Sequence, residues 1–387
     1  MAETGRPRLQ VLDLLRIFAA CSVMFFHLAY WSWANPRSRG ADILQGAATF
    51  PELAPYSSWG WVSVDIFFVI SGFVISYSAA NASFRSFVRS RFLRLFPSIL
   101  ICSAITLAIF LATDLAPVPK AIEAFWKTVV IWPFGGWLDG VYWTLAVELT
   151  FYIVVALFLL LGRPSWLAAA MALIGLVTTF LAASAYLSGS GAPSISGVSK
   201  ELSDSLLLRH GMYFSLGYFI WSATNSGWTP VRSALVVVFL IGGAFPILAA
   251  ADSLSRIPGS SPAWVPLMIW LAAVLVMLAS VTIVAPKRHQ PTRRWLALLG
   301  MATFPLYLIH YVAGATLMAL LIRNGWQPTL ALPATCIVMM VGAVALTVLI
   351  EAGPRQWIAS VIDTVFQWKN RARPATAGET ASTSGGD

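Results

Sequence analysis

Charge is scarce in this chain. Only 11% of its 387 residues are charged, against 58% that are hydrophobic, whereas a water-soluble globular chain carries about 25% charged residues. So few charges cannot coat a water-facing surface at this length, which excludes a soluble globular protein. Histidine is limited to four residues and cysteine to three. Cys21, Cys102 and Cys336 stand singly in apolar stretches, without pairing or ligand spacing. That excludes a disulfide framework and leaves no motif for a metal site; the three read as small buried hydrophobes.

Acidic residues are also few: 16 Asp and Glu face 25 Lys and Arg, for a net charge of +9. The basic residues fall in short clusters between apolar runs rather than along one stripe. This pattern suits an anionic membrane face or a phosphorylated ligand and argues against nucleic acid as a partner.

Apolar runs and tryptophan are what the sequence has in abundance. Seventeen Trp suit a protein with two membrane–water interfaces, where amphipathic rings collect. Runs near the roughly 20 residues needed to cross a bilayer lie at 11–33, 62–80, 96–113, 141–161, 166–187, 206–223, 232–250, 264–285, 297–321 and 330–352. The expected fold is therefore an all-α integral membrane protein of about ten transmembrane helices. Asp13 and Arg16 interrupt the first run, and no small-residue cleavage site follows Leu28, so that run reads as a retained helix and not a signal peptide. With the N-terminus inside, sixteen Lys and Arg fall on the inner segments and seven on the outer ones. The bias predicts cytoplasmic termini.

Residues 1–10 then form an inner tail and 11–353 the membrane domain. In 354–387, Trp357, Ile358, Val361, Ile362, Val365 and Phe366 recur at helical spacing beside basic residues, the pattern of an interfacial amphipathic helix. The end beyond about 370 reads as disordered. The segment 114–140, with Trp126, Trp132 and Trp137, is expected to rest as a loop on the outer interface.

An ionisable group inside a membrane costs several kcal/mol by most estimates, about 3 on insertion scales, so each one needs a reason. Arg16 and His27 are eleven residues apart, about three helical turns, which sets them on one face some ~16 Å apart. Depths reckoned from the span ends put His27, Asp65, Glu148 and His310 near the outer third, and Arg16, Arg91, Arg94 and Glu351 near the inner face. One histidine and two carboxylates at similar depth are the parts of a tuned general base. Arg85, Arg89, Arg91 and Arg94 offer forked donors for phosphates, although a positive-inside bias accounts for such a cluster equally well. His210 and His289 read as structural or solvated, and His310 as either a packing residue or part of a site.

Six short elements occur in order. They are Arg16 and His27 with ten residues between them, the block Val64–Phe73 that opens Val-Asp-Ile-Phe-Phe, Arg91-Phe-Leu-Arg94, Trp143-Thr-Leu-Ala-Val-Glu148, Tyr307-Leu-Ile-His310, and Glu351-Ala-Gly-Pro354. Together they resemble the acyltransferase-3 family of membrane O-acyltransferases over about 11–354. The chain matches its membrane domain and not the hydrolase-like C-terminal domain that some members carry. The resemblance implies transfer of an acyl group, acetyl above all, from acyl-CoA to a hydroxyl of a carbohydrate, glycolipid or natural-product acceptor. The donor is a substrate; no tightly bound cofactor and no metal is implied.

The resemblance also implies roles for these residues in a cytoplasmic (inner) membrane. Arg91 and Arg94 would bind the CoA phosphates, with Arg16 further along the path and His27 as general base. Glu148 or Asp65 is expected to orient His27 on the grounds of depth. Ser71 and Cys21 are possible nucleophiles, and His310 and Glu351 are further candidates. The competing reading is a multi-span transporter or exporter of a lipid-linked substrate, a class that also keeps charged residues between helices.

Overall fold

The computed structural model describes residues 10–190, 203, 206–284 and 294–365. Its regular structure is helical throughout, with no strand among the described residues. This is an all-α integral membrane protein. Among the described residues, eight helices are long and apolar enough to span a bilayer, or nine if one bent pair counts as a single span. The sixth expected span, 206–223, is the helix Gly211–Ser226, which at 16 residues is short and has 12 of them buried.

The first helix, α1, runs Gln10–Phe26 and continues into a π-helical turn, His27–Trp31. Five short helical segments follow, and the chain then enters α2, Ser63–Ala79. Next comes α3, Phe84–Thr113, whose 30 residues span about 45 Å, more than the hydrocarbon core of a bilayer. Arg85 through Arg94 thus belong to its first three turns and not to a preceding loop. Ser83 opens α3 by accepting from the Ser86 N–H, an N-cap bond. The expected loop 114–140 instead contains an amphipathic helix, α4, Val118–Val129. There Trp126 and Trp132 are exposed, while Trp137 turns inward onto a cavity.

Five helices follow: α5 (Trp143–Leu160), α6 (Trp166–Leu187), α7 (Gly211–Ser226), α8 (Pro230–Leu254) and α9 (Trp264–Ala279). α7 is the buried centre of the bundle. It crosses α2 where both helices lack a side chain. A Cβ on Gly72 would stand 2.2 Å from the Phe214 carbonyl oxygen, and one on Gly217 2.0 Å from that of Val69. Small residues of this kind let membrane helices approach to backbone contact.

The expected span 297–321 is broken. α10 (Arg294–Ile309) and α11 (Val312–Arg323) meet at a bend of 73°, with His310 and Tyr311 at the break. Asp139, in the loop before α5, caps the new helix by accepting from the Val312 N–H at 3.1 Å. The long α12 (Pro328–Ala352) and the amphipathic α13 (Pro354–Val365) complete the described chain. Arg89 of α3 clamps α13 through two hydrogen bonds to Asp363, at 2.8 and 2.9 Å. The expected disordered end and His289 lie outside the described residues, as do residues 1–9.

Candidate active site

His27 and His310 meet, though 283 residues separate them: His27 Nδ1 lies 2.9 Å from His310 Nε2. Local structure sets both rings. His27 opens the π-helical turn, a feature that often marks functional positions, and its carbonyl accepts from the Ser32 hydroxyl at 2.6 Å. His310 is fully buried at the α10–α11 break, where its Nδ1 sits 2.8 Å from the Tyr307 carbonyl and 3.2 Å from that of Leu306.

Those carbonyls determine the tautomers. A carbonyl only accepts, so His310 Nδ1 carries the proton, and in the neutral ring Nε2 is the acceptor. His27 Nδ1–H then donates to His310, which leaves the lone pair of His27 on Nε2. The Tyr311 ring lies against the His27 imidazole, with centroids 4.4 Å apart. This is the second-partner logic by which one hydrogen bond fixes what the other ring nitrogen can do.

His27 lines a cavity of about 680 Å³, together with Asp65, Arg209, His210 and the four tryptophans 31, 61, 137 and 143. A second, narrower cavity of about 90 Å³ is lined by Arg16, Arg91, Arg94, Ser71, Glu148 and Tyr152. Val64 and Tyr307 line both. Tyr307 is held there by accepting from the Thr144 hydroxyl at 2.9 Å and donating to the Val141 carbonyl at 3.1 Å.

The narrow cavity has an excess of positive charge. Three guanidiniums face one carboxylate within it, and Arg16 has a further anionic neighbour in Asp13 at 3.6 Å. Glu148 accepts from both Ser71 Oγ at 2.8 Å and Tyr152 Oη at 2.7 Å. Arg91 lies over the Phe87 and Tyr152 rings, 5.7 and 5.9 Å from their centroids, and its buried Nε has no hydrogen-bond partner. Desolvated guanidinium donors of this kind attract an anionic, forked acceptor.

The grouping by depth is thus partly redrawn. His27 and Asp65 line the wide cavity and His310 stands buried behind His27, but Glu148 and Ser71 sit with the arginines. Neither expected carboxylate orients His27: Glu148 is engaged by Ser71 and Tyr152, and Asp65 faces His210, Oδ1 to Nδ1 at 3.8 Å. His310 takes that place. Glu351 lines neither cavity and pairs instead with Arg355, at the start of α13. Cys21, Cys102 and Cys336 are single free thiols, and Cys21 lines neither cavity. No cluster of metal-ligating side chains occurs among the described residues.

His210, expected to be structural or solvated, reaches the wide cavity because the chain enters α7 there. Tyr311 and Asp139 were not singled out at all. Asp139 accepts from the N–H groups of Val141 and Val312 and so joins the entry of α5 to the bend that presents His310. In sequence it is a lone aspartate after a Gly-Gly-Trp-Leu turn, with no spacing to signal its task.

Comparison with known proteins agrees with the geometry. The model of the acyltransferase domain family matches residues 9–348. Nodulation protein 10 of Rhizobium leguminosarum bv. viciae is 36% identical over 173 residues, covering 39% of this chain and 44% of that protein. The aligned region is thus less than half of that relative's length. No solved structure matches. With a family match over nearly its whole length and a bundle of membrane-spanning helices around the paired cavities, the chain belongs to the acyltransferase-3 family and is a multi-span membrane protein.

Proposed function

We propose that the protein transfers an acyl group, acetyl foremost, from acyl-CoA to a hydroxyl of a carbohydrate, glycolipid or related natural-product acceptor in the cytoplasmic membrane, with His27 as general base. The observation that carries this reading is the histidine pair at a roomy aromatic cavity, next to a slot of three arginines that shares Tyr307 and Val64 with it. Arg16, Arg91 and Arg94 would take the phosphates of CoA from the inner side. The slot suits an extended chain such as the pantetheine arm, and the wide cavity suits an acceptor of drug-like size.

In this scheme His27 Nε2 takes the proton of the acceptor hydroxyl as that oxygen attacks the thioester carbonyl. The C–S bond breaks, and the departing CoA sulfur takes the proton from the His27 imidazolium. His310 holds the imidazole by its Nδ1–H and shares the charge that develops, the part a carboxylate plays in a hydrolase triad. Glu148, with both hydroxyl donors on one oxygen, fits better as the fixed counter-charge of the arginines than as a base.

The test is transfer of label from [14C]acetyl-CoA by purified protein in detergent, without a sealed compartment, to glycans and lipid extracts of the producing cell. Wild type labels an acceptor and His27→Ala does not, while the variant still purifies as a folded monodisperse protein. Equal labelling by the two proteins would reject the base assignment. Flux that needs sealed vesicles, with no covalent transfer, would favour an exporter.

A further inference from the structure

The polar lining of the wide cavity falls into two groups. His27 and Tyr311 form one, ring against ring at 4.4 Å. Asp65, Arg209 and His210 form the other, which the reaction scheme leaves unused. Asp65 is 7% exposed and faces His210 at 3.8 Å, while the His210 ring lies 5.2 Å from the rings of Phe68 and Trp143. An ionisable cluster set among aromatic rings at membrane depth is costly unless it works. Packing alone could be met by an apolar contact, since replacing a buried ion pair with hydrophobic side chains is often neutral or stabilising.

A second observation points to a ligand. Trp137 lines the same cavity, and its indole N–H is buried without an acceptor. Buried polar groups are nearly always satisfied, so an unmet N–H on a residue that lines a cavity is open to a further partner. The partner of an N–H is an oxygen or nitrogen with a lone pair.

We propose that Asp65, Arg209, His210 and Trp137 form a recognition subsite for a neutral, hydroxyl-rich ring of the acceptor, remote from the hydroxyl that reacts. The cluster supplies an acceptor in Asp65 and donors in Arg209 and Trp137, the pattern that adjacent hydroxyls require. Trp31, Trp61 and Trp143 supply flat apolar faces for the C–H side of such a ring. Charge selects the neutral form: Asp65 balances Arg209 here, whereas the uncompensated positive charge lies in the arginine slot. Anions are thereby directed to the slot and uncharged polyols to the wide cavity. The inference rests on the acyltransfer reading for the word acceptor, but the binding it describes does not depend on turnover.

The full chain in phosphatidylcholine nanodiscs, free of sugar-headed detergent, is titrated with the methyl β-pyranosides of glucose, galactose, N-acetylglucosamine and glucuronic acid, and binding is followed by tryptophan quenching. At least one neutral glycoside is expected to bind wild type, and more tightly than the glucuronide. Asp65→Asn and His210→Gln should each weaken it tenfold or more. Trp137→Phe keeps the ring, removes only the N–H and should weaken it about fivefold, with an unchanged melting temperature. Failure of every neutral glycoside to bind, tighter binding of the glucuronide, or unchanged affinity in all three variants overturns the subsite. Acetyl transfer measured in the same samples reports on the reaction separately: binding without transfer removes the acyltransfer reading and leaves the subsite standing.

Discussion

His27 Nδ1 donates across 2.9 Å to Nε2 of His310, whose own proton is committed to the Tyr307 carbonyl. Removing His310 should therefore damage the base without touching the donor site. His310→Ala is expected to lower kcat on the order of 10²–10⁴-fold, with the KM for acyl-CoA little changed. His310→Gln, whose carbonyl oxygen still accepts from His27, should recover part of that loss. The check is steady-state transfer kinetics for both variants. Wild-type kcat in the alanine variant would show that the pair is only a packing contact.

The arginine slot makes a separate prediction. Each guanidinium that meets a phosphate contributes roughly 1.5–3 kcal/mol, as hydrogen bonds to charged groups do. Arg91→Ala with Arg94→Ala should weaken binding of CoA itself by at least 100-fold and flatten its salt dependence. Calorimetry with the double variant measures both. His27→Ala serves as the control, because its side chain lines the other cavity; loss of CoA binding there would mean that the two cavities are not separate sites.

Tyr307 stands between the two cavities, held by Thr144 and Val141. Its removal should join the cavities and let water reach the thioester. Tyr307→Ala is expected to raise the ratio of acyl-CoA hydrolysis to transfer several-fold, while Tyr307→Phe, which keeps the ring, should change it far less. Free thiol release compared with labelled product gives the ratio, and an unchanged ratio in the alanine variant removes Tyr307 as the divider.

Much of this fold was legible beforehand because lipid imposes one rule on every span. Apolar length marked α5, α6, α8, α9 and α12 to within a few residues, and the scarcity of intramembrane charge picked out Arg16, His27, Asp65 and Glu148. Depth could not say which helix face each residue uses, and so it put Glu148 beside His27 when α5 turns that carboxylate to Ser71 and Tyr152. The break at His310 was hidden because its cause is not local: the cap of α11 comes from Asp139, 173 residues earlier. α7 fell short of a span because it is wrapped by protein and need not match the bilayer.

The α2–α7 crossing gives a stability prediction that owes nothing to chemistry. Gly217→Ala places a methyl group 2.0 Å from the Val69 carbonyl oxygen, and backbone cannot yield as a side chain can. Overpacking of this kind costs about 1–3 kcal/mol or more, so the melting temperature in detergent should drop by several degrees. Gly342→Ala, which meets nothing within 4 Å, is the matched control. Equal melting temperatures for the two variants would mean that the helices are further apart than described.

Asp139 links the fold to pH. It lies just outside the α5 span, is 1% exposed, and burial pushes its carboxyl up to about 6 despite two N–H donors. An unfolded aspartate titrates near 3.9. Between about 4 and 6 the folded protein therefore holds a proton that the unfolded chain has lost, and this group's contribution to stability falls as pH rises through that window. Two units correspond to roughly 3 kcal/mol. Asp139→Asn has no charge to lose and keeps one acceptor, for Val141 or for Val312 but not for both. The melting-temperature advantage of wild type over the variant should thus be larger at pH 5 than at pH 8. An advantage that stays flat, or grows with pH, would mean that the carboxylate remains charged throughout and that the bend presenting His310 is insensitive to acid.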